Sequence, residues 1–198
     1  MRERRLEMSE APVRIDLEEP SLRHLAEFIE AVRRSRRLHG RWAQPPATAE
    51  EYRAFIRRVR MPAYLCHLVR ADEGGLAGVI NITEIVRGAF SSGYLGYYAL
   101  VPHNGRGYMR AGLEAVIRRA FTSYKLYRLE ANIQPDNARS IALVRSLGFR
   151  REGYSPRYLK LRGRWRDHER WALTVEDWKS ARLTGPAVRP VRRRSSDR

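Results

Sequence analysis

Cysteine is almost absent: Cys66 stands alone in 198 residues. One thiol excludes an intramolecular disulfide and any metal site built on several cysteines, and fits a reducing compartment. His24, His39 and His67 have no partner at metal-ligand spacing, so they read as core or surface groups. Long apolar runs are also missing. No stretch approaches the roughly 20 residues a membrane-spanning helix needs. Met1 to Leu6 has no apolar segment after its arginines, so neither a span nor a signal peptide is expected and the expected location is the cytoplasm. Acid is scarce: 22 Asp and Glu face 39 Lys and Arg, a net charge of +17. Such a surplus attracts polyanions, whether RNA, anionic lipid or a phosphate-rich ligand, without choosing among them.

What is present is enough apolar residue to fold one domain: 43% of the chain is hydrophobic. Residues 1–12 are charged and patternless and read as a flexible N-terminus, the domain is expected over 13–180, and 181–198, rich in arginine and broken by Gly185, Pro186 and Pro190, reads as a disordered basic tail. Val13, Ile15 and Leu17 alternate as in a half-buried strand. Ser21 can cap a helix with Leu25, Phe28, Ile29 and Val32 on one face, and Thr48 with Glu51 forms a capping box for a second. Residues 64–69 and 76–86 form a hairpin around Asp72-Glu73-Gly74-Gly75, and 94–101 is a third strand. Helical spacing returns after Gly107, with Leu113, Val116, Ile117 and Ala120 on one side. Residues 126–133 are a strand, a helix ends at Gly148, and 149–161 and 164–174 pair around Arg162-Gly163. This order makes a mixed α/β domain.

The junction at 101–108, Val-Pro-His-Asn-Gly-Arg-Gly-Tyr, passes from strand to helix through two glycines. Backbone N–H groups at such a helix start can hold phosphate, but a tight turn needs the same glycines. The two best-known phosphate loops are excluded. No G-x-x-x-x-G-K-[ST] occurs, and Arg110 stands where a dinucleotide-binding loop has its third glycine.

The succession of pieces resembles the GNAT superfamily of N-acetyltransferases, and within it the ribosomal-protein-alanine N-acetyltransferases. The resemblance covers about residues 76–178 and rests on Tyr94-Leu95-Gly96-Tyr97, Gly105-Arg106-Gly107-Tyr108-Met109, Arg128-Leu129-Glu130-Ala131-Asn132, Pro135-Asp136-Asn137-Ala138-Arg139-Ser140, Leu147-Gly148-Phe149, Gly163-Arg164-Trp165-Arg166-Asp167-His168 and Glu176-Asp177-Trp178. It implies a central mixed, mostly antiparallel twisted sheet, splayed at its centre and flanked by helices. It also implies acetyl-CoA as cosubstrate, with His103, Asn104, Gly105, Arg106, Gly107 and Tyr108 around the pyrophosphate. Ala99, Leu100 and Val101 would bond the pantetheine, Asn137 would contact its arm, and Ser140 would lie near the sulfur.

Two departures stand out. Pro102 replaces the usual Gln or Arg three residues before the first glycine, and Val144 replaces the tyrosine that often protonates the thiolate. Ser140 is the substitute donor, and thiolate departure needs only a weak acid because a thiol has a pKa near about 8.5. Glu84 is the first candidate base, on a strand where the superfamily often holds a carboxylate working through water; a solvent-facing strand Glu is the alternative. Asp167 and His168 are the second candidates, since His titrates in the right range. Arg157 stands where relatives tend to carry an acid. The implied acceptor is a protein N-terminal α-amine, that of a ribosomal protein. The alternatives are a small amine or antibiotic, or an RNA- or ribosome-binding module on this fold, with RNA contact through the basic surface and tail.

Overall fold

The computed structural model describes residues 13–184. The N-terminal stretch 1–12 and residues 185–198 of the expected tail lie outside them. Residues 181–184 of that stretch do not leave the domain but complete its last helix, α6 (Val175–Thr184).

Seven strands form one sheet in the order β1-β2-β3-β4-β5-β7-β6. They are β1 (Ile15–Glu18), β2 (Leu65–Ala71), β3 (Leu76–Val86), β4 (Ser92–Ala99), β5 (Arg128–Ile133), β6 (Arg150–Leu161) and β7 (Arg164–Thr174). Every neighbouring pair is antiparallel except β4 and β5. Between β1 and β2 lie α1 (Leu25–Arg34), a single turn α2 (Arg36–His39) and α3 (Ala49–Val59). The helix expected after Ser21 begins as a 3-10 turn over Leu22–His24. Thr48 caps α3 as expected: its Oγ accepts the Glu51 N–H at 3.2 Å while Glu51 accepts the Thr48 N–H at 3.1 Å, a cap worth about 1 kcal/mol.

Two cores follow from the two faces of the sheet. On one, Leu113, Val116, Ile117 and Ala120 of α4 (Tyr108–Thr122) pack on Val69, Ile80, Ile82 and Leu129. On the other, Phe28, Tyr52 and Phe55 of α1 and α3 cover Cys66, Leu68, Val79 and Leu100. Cys66 is buried and its thiol is pushed up by burial, so it is a packing residue.

The centre of the sheet is where it opens. The parallel β4–β5 ladder comprises only Ser92↔Arg128, Gly93↔Leu129 and Tyr94↔Glu130. β4 then runs on to Ala99 beside β3, and β5 to Ile133 beside β7, so the two diverge. Two of the backbone groups on the side that would have met β5 are taken up by the α1–α2 region instead. His39 Nε2–H donates to the Ala99 carbonyl at 2.9 Å, and Val101 N–H donates to Ser35 Oγ at 3.0 Å.

Candidate functional site

The divergence of β4 and β5 leaves a cleft of about 940 Å³. One end is the turn into α4, where Asn104, Gly105 and Gly107 line it. Gly105 and Gly107 both lie at positive φ, 79° and 84°, a region costly for any residue with a Cβ. A Cβ on Gly105 would meet nothing within 4 Å, so that turn leaves open space where a ligand can approach the backbone. α4 begins at Tyr108, so its first free N–H groups and its positive dipole end face this turn.

Along the middle of the cleft, the antiparallel alternation sets which backbone groups are available. Leu100 N–H donates to Ala77 O at 2.8 Å across the β3 side, so Tyr97 and Ala99 direct their backbone groups toward the gap. The expectation for 99–101 is thereby narrowed. Leu100 is fully buried with its N–H bonded, the Val101 N–H is held by Ser35 and the Ala99 carbonyl by His39, which leaves the Ala99 N–H and the Tyr97 backbone as the open edge of β4.

Opposite that edge, α5 (Ala138–Ser146) presents Asn137 and Ser140. Asn137 is the N-cap, its Oδ1 accepting the Ser140 N–H at 3.2 Å, which leaves the amide nitrogen to donate elsewhere. The Ser140 carbonyl accepts the Tyr97 hydroxyl at 3.2 Å, tying α5 to β4 across the opening. Burial pushes the Tyr97 hydroxyl up to about 12, so it stays a neutral donor.

The far end of the cleft is closed by β6 and β7. His168 is buried there, and its Nδ1–H donates to the Arg166 carbonyl at 2.9 Å, which makes Nε2 the basic nitrogen. Burial holds its pKa below the ordinary histidine value, against the raising effect of that hydrogen bond and of Asp167. His39, Trp42, Leu159 and Leu161 complete this end. No Asp or Glu is among the described residues that line the cleft.

Several expected site residues lie elsewhere. Glu84 is exposed at an irregularity between Thr83 and Val86, with φ 49°, and does not line the cleft: the bulge turns it out of the strand's alternation. His103 and Arg106 turn back to the β2–β3 hairpin. His103 Nδ1 lies 3.0 Å from Glu73, and the Arg106 guanidinium grips both oxygens of the same carboxylate. The Tyr108 hydroxyl donates to Asp72 at 2.8 Å in the same turn. These side chains pin the loop from behind, leaving its backbone to face the cleft. Asp167 points away from the cleft as well. It accepts the Tyr154 hydroxyl and, at 2.7 Å, the Arg157 N–H, so it clamps the bulge where Arg157 sits at φ 50°. The Tyr154 hydrogen bond, first among its causes, holds the Asp167 carboxyl below the usual range.

Sequence reasoning missed the polar groups buried in the cleft wall. Asn81 Oδ1, Tyr98 Oη and Asn132 Oδ1 are buried without a hydrogen-bond partner, and all three residues line the cleft. Alternation alone could have found them, because a polar residue on a buried face of a central strand needs a reason.

The acetyltransferase (GNAT) domain model matches residues 14–150. The chain is 41% identical over 120 residues to the [Ribosomal protein uS5]-alanine N-acetyltransferase of Escherichia coli, a match covering 61% of this chain and 62% of the relative, so the chain spans less than two thirds of that protein's length. Mycobacterium smegmatis RimJ in complex with CoA-disulfide superposes with a TM-score of 0.75 at 27% identity, covering 84% of this chain and 87% of that one. The spermidine N-acetyltransferase of Vibrio cholerae in complex with CoA and spermine, at 18% identity, a TM-score of 0.71 and coverage of 83% and 98%, shares the fold. With the family model spanning over two thirds of the sequence and the open β4–β5 pair leading into a glycine turn, the chain belongs to the acetyltransferase (GNAT) family.

Proposed function

We propose that this chain is an acetyl-CoA-dependent N-acetyltransferase acting on a protein N-terminal α-amine, that of a ribosomal protein. The observation that carries the proposal is the continuity of the cleft, from the backbone of the α4 turn, along the open edge of β4, to the buried His168. The residues present suit the cosubstrate. Gly105 leaves room beside exposed N–H groups at a helix start, which is the chemistry of a pyrophosphate site. The open β4 edge at Tyr97 and Ala99 suits the amides of a pantetheine arm.

Bound acetyl-CoA supplies an acyl carbon already activated as a thioester. The chain has three tasks around it. The Ala99 N–H faces the gap and is the donor for the oxygen that becomes negative when the amine attacks. Ser140 Oγ donates to the departing sulfur. His168 Nε2, kept neutral by burial, takes the amine proton directly or through one water. His168 is assigned this role in place of Glu84 and Asp167, both of which lie outside the cleft. An α-amine with a pKa near about 8 is deprotonated far more readily than a lysine near about 10.4, which suits a weak base. Direct transfer needs no covalent enzyme intermediate.

The lining also weighs on the acceptor. A polyamine or aminoglycoside carries several positive charges, and a cleft lined by Arg110 and Arg139 without any carboxylate repels them. The 41% identity to an enzyme named for the alanine N-terminus of uS5 supports the protein acceptor.

The test is intact-mass measurement after incubation with acetyl-CoA and either peptides bearing free α-amino termini or spermidine. A gain of one acetyl group at the peptide terminus is expected, and Ser140→Ala should lower kcat about 10²-fold, the low end for general acid catalysis, with little change in KM for acetyl-CoA. Consumption of acetyl-CoA with spermidine alone would remove the protein-acceptor assignment, and consumption with neither would remove the enzyme.

A further inference from the structure

A second groove, of about 1100 Å³, lies between α1–α2 and α3 and shares His39 and Ala43 with the cleft. Its lining holds five arginines: Arg33, Arg36, Arg57, Arg58 and Arg162. Four come from the exposed sides of α1, α2 and α3, and Arg162 reaches over from the β6–β7 turn to donate to the Gly40 carbonyl. Among the described residues none of the five is in an ion pair. The single acid among the described residues of the lining, Glu51, is occupied in accepting the N–H groups of Ala47 and Thr48. The groove thus gathers five arginines around one carboxylate that is already engaged by backbone N–H groups.

We propose that this groove binds the phosphate backbone of RNA and so seats a ribonucleoprotein beside the acceptor end of the cleft. Guanidinium forks match phosphate oxygens, and the arginines surround a floor of Ala43, Pro45, Pro46 and Ala54. Among the described residues His39 is the only aromatic ring of the lining, and it is buried and bonded to Ala99, so contact falls on the phosphates and not on base identity. RNA takes precedence over an acidic peptide because it presents a phosphate at every residue, and the groove offers a charge to each of several in succession. A ribosomal-protein terminus emerging beside RNA would reach the cleft past His39 and Ala43. This last step rests on the proposed transferase activity; RNA binding does not.

The test measures anisotropy of a labelled single-stranded RNA of mixed sequence with the full chain, without acetyl-CoA, across a salt series. Each phosphate contact contributes a slope of about −0.7 in log K against log salt. The triple variant Arg36→Ala, Arg57→Ala, Arg58→Ala should therefore lose about 2 from the slope and about a hundredfold in affinity near about 0.1 M salt. It should acetylate a short free peptide as the unaltered chain does. Lysine at the same three positions keeps the charge and should keep most of the slope, which separates charge loss from misfolding. Unchanged RNA affinity and slope in the alanine variant would overturn the proposal, placing RNA elsewhere on the chain or nowhere. A glutamate-rich peptide that binds at least as tightly as RNA and is lost in the same variant would overturn it in favour of an acidic partner. Absence of peptide acetylation by the unaltered chain, with RNA binding lost only in the alanine variant, would count against the transferase assignment and leave this proposal supported.

Discussion

Two glycines in one ladder should respond in opposite ways to an added side chain. Gly96 of β4 pairs with Asn81 of β3, is exposed, and lines the cleft, and a Cβ built there meets no atom within 4 Å. Gly78 of β3 pairs with Ala99, and a Cβ there would come within 2.1 Å of the Met109 sulfur and 2.8 Å of the Tyr98 carbonyl oxygen. Gly96→Val therefore removes backbone freedom and adds a β-branched residue to a strand without a clash, a gain of about 0.5–1 kcal/mol in stability. Its methyl groups occupy space on the cleft wall next to Tyr97 and three residues from Ala99. Displacing a reacting thioester by about 1 Å costs about 10²-fold in rate. Gly78→Ala should instead unfold the sheet more readily, because the Met109 side chain can move aside but the Tyr98 carbonyl cannot; overpacking costs about 1–3 kcal/mol. At about 2–4 °C per kcal/mol for a domain of this size, the two variants should melt on opposite sides of the unaltered chain. Thermal melts with steady-state acetylation kinetics decide it. If Gly96→Val melts normally and keeps its kcat/KM, the acyl group does not lie between β4 and β5.

Two further perturbations separate side-chain from backbone roles at the loop and test the buried histidines. Arg106→Ala should change KM for acetyl-CoA by less than about fivefold, since its pair with Glu73 is solvent-exposed and contributes little, while Gly105→Val forces a branched residue into φ 79° and should raise KM by tenfold or more. A hundredfold effect of Arg106→Ala would show that the guanidinium leaves Glu73 for phosphate. Burial, chiefly, with a smaller push from Arg119, lowers His67 to about 4, and burial also lowers His39 and His168. The unfolded chain then binds more protons than the folded one below about pH 6.5, so stability is full above that value and falls as pH drops toward 4. His67 alone should remove on the order of 3 kcal/mol across that window. Urea titrations at pH 7.5 and 4.5 should show the loss, and His67→Gln should flatten it; an equal loss in that variant would assign the effect to other groups.

How much of this was legible in the sequence depends on whether a feature is local. The Thr48 capping box, the helix after Gly107, the αL glycine at Gly148 and the turn at Arg162-Gly163 are each fixed by neighbours three or four residues apart, and each occurs where the pattern places it. The parallel β4–β5 pair is not local, because α4 separates its strands, and only the family resemblance pointed to the splay. The bulges were illegible for a related reason. Glu84 and Arg157 interrupt alternating runs at positive φ, a backbone state that neither residue type announces. Running the strand straight through position 84 keeps Glu84 in it, where the resemblance implies a base; the bulge puts it in solvent.

The same distinction explains why the side chains of the glycine loop were less legible than its backbone. From sequence, the backbone amides of 103–108 hold the pyrophosphate and the charge of Arg106 adds to the site; in the fold the Arg106 and His103 side chains are both spent on Glu73, thirty-three and thirty residues earlier in the chain. Holding the loop from behind is the better arrangement for a site that must also release its ligand. A fixed backbone presents its N–H groups at no further ordering cost, whereas a free arginine would have to be immobilised on each binding event, at about 0.5–1.5 kcal/mol per side chain. The hairpin turn Asp72-Glu73 thus joins the site without touching the cleft. A substitution such as Glu73→Gln should act by loosening the loop, raising KM for acetyl-CoA while leaving kcat at saturation unchanged.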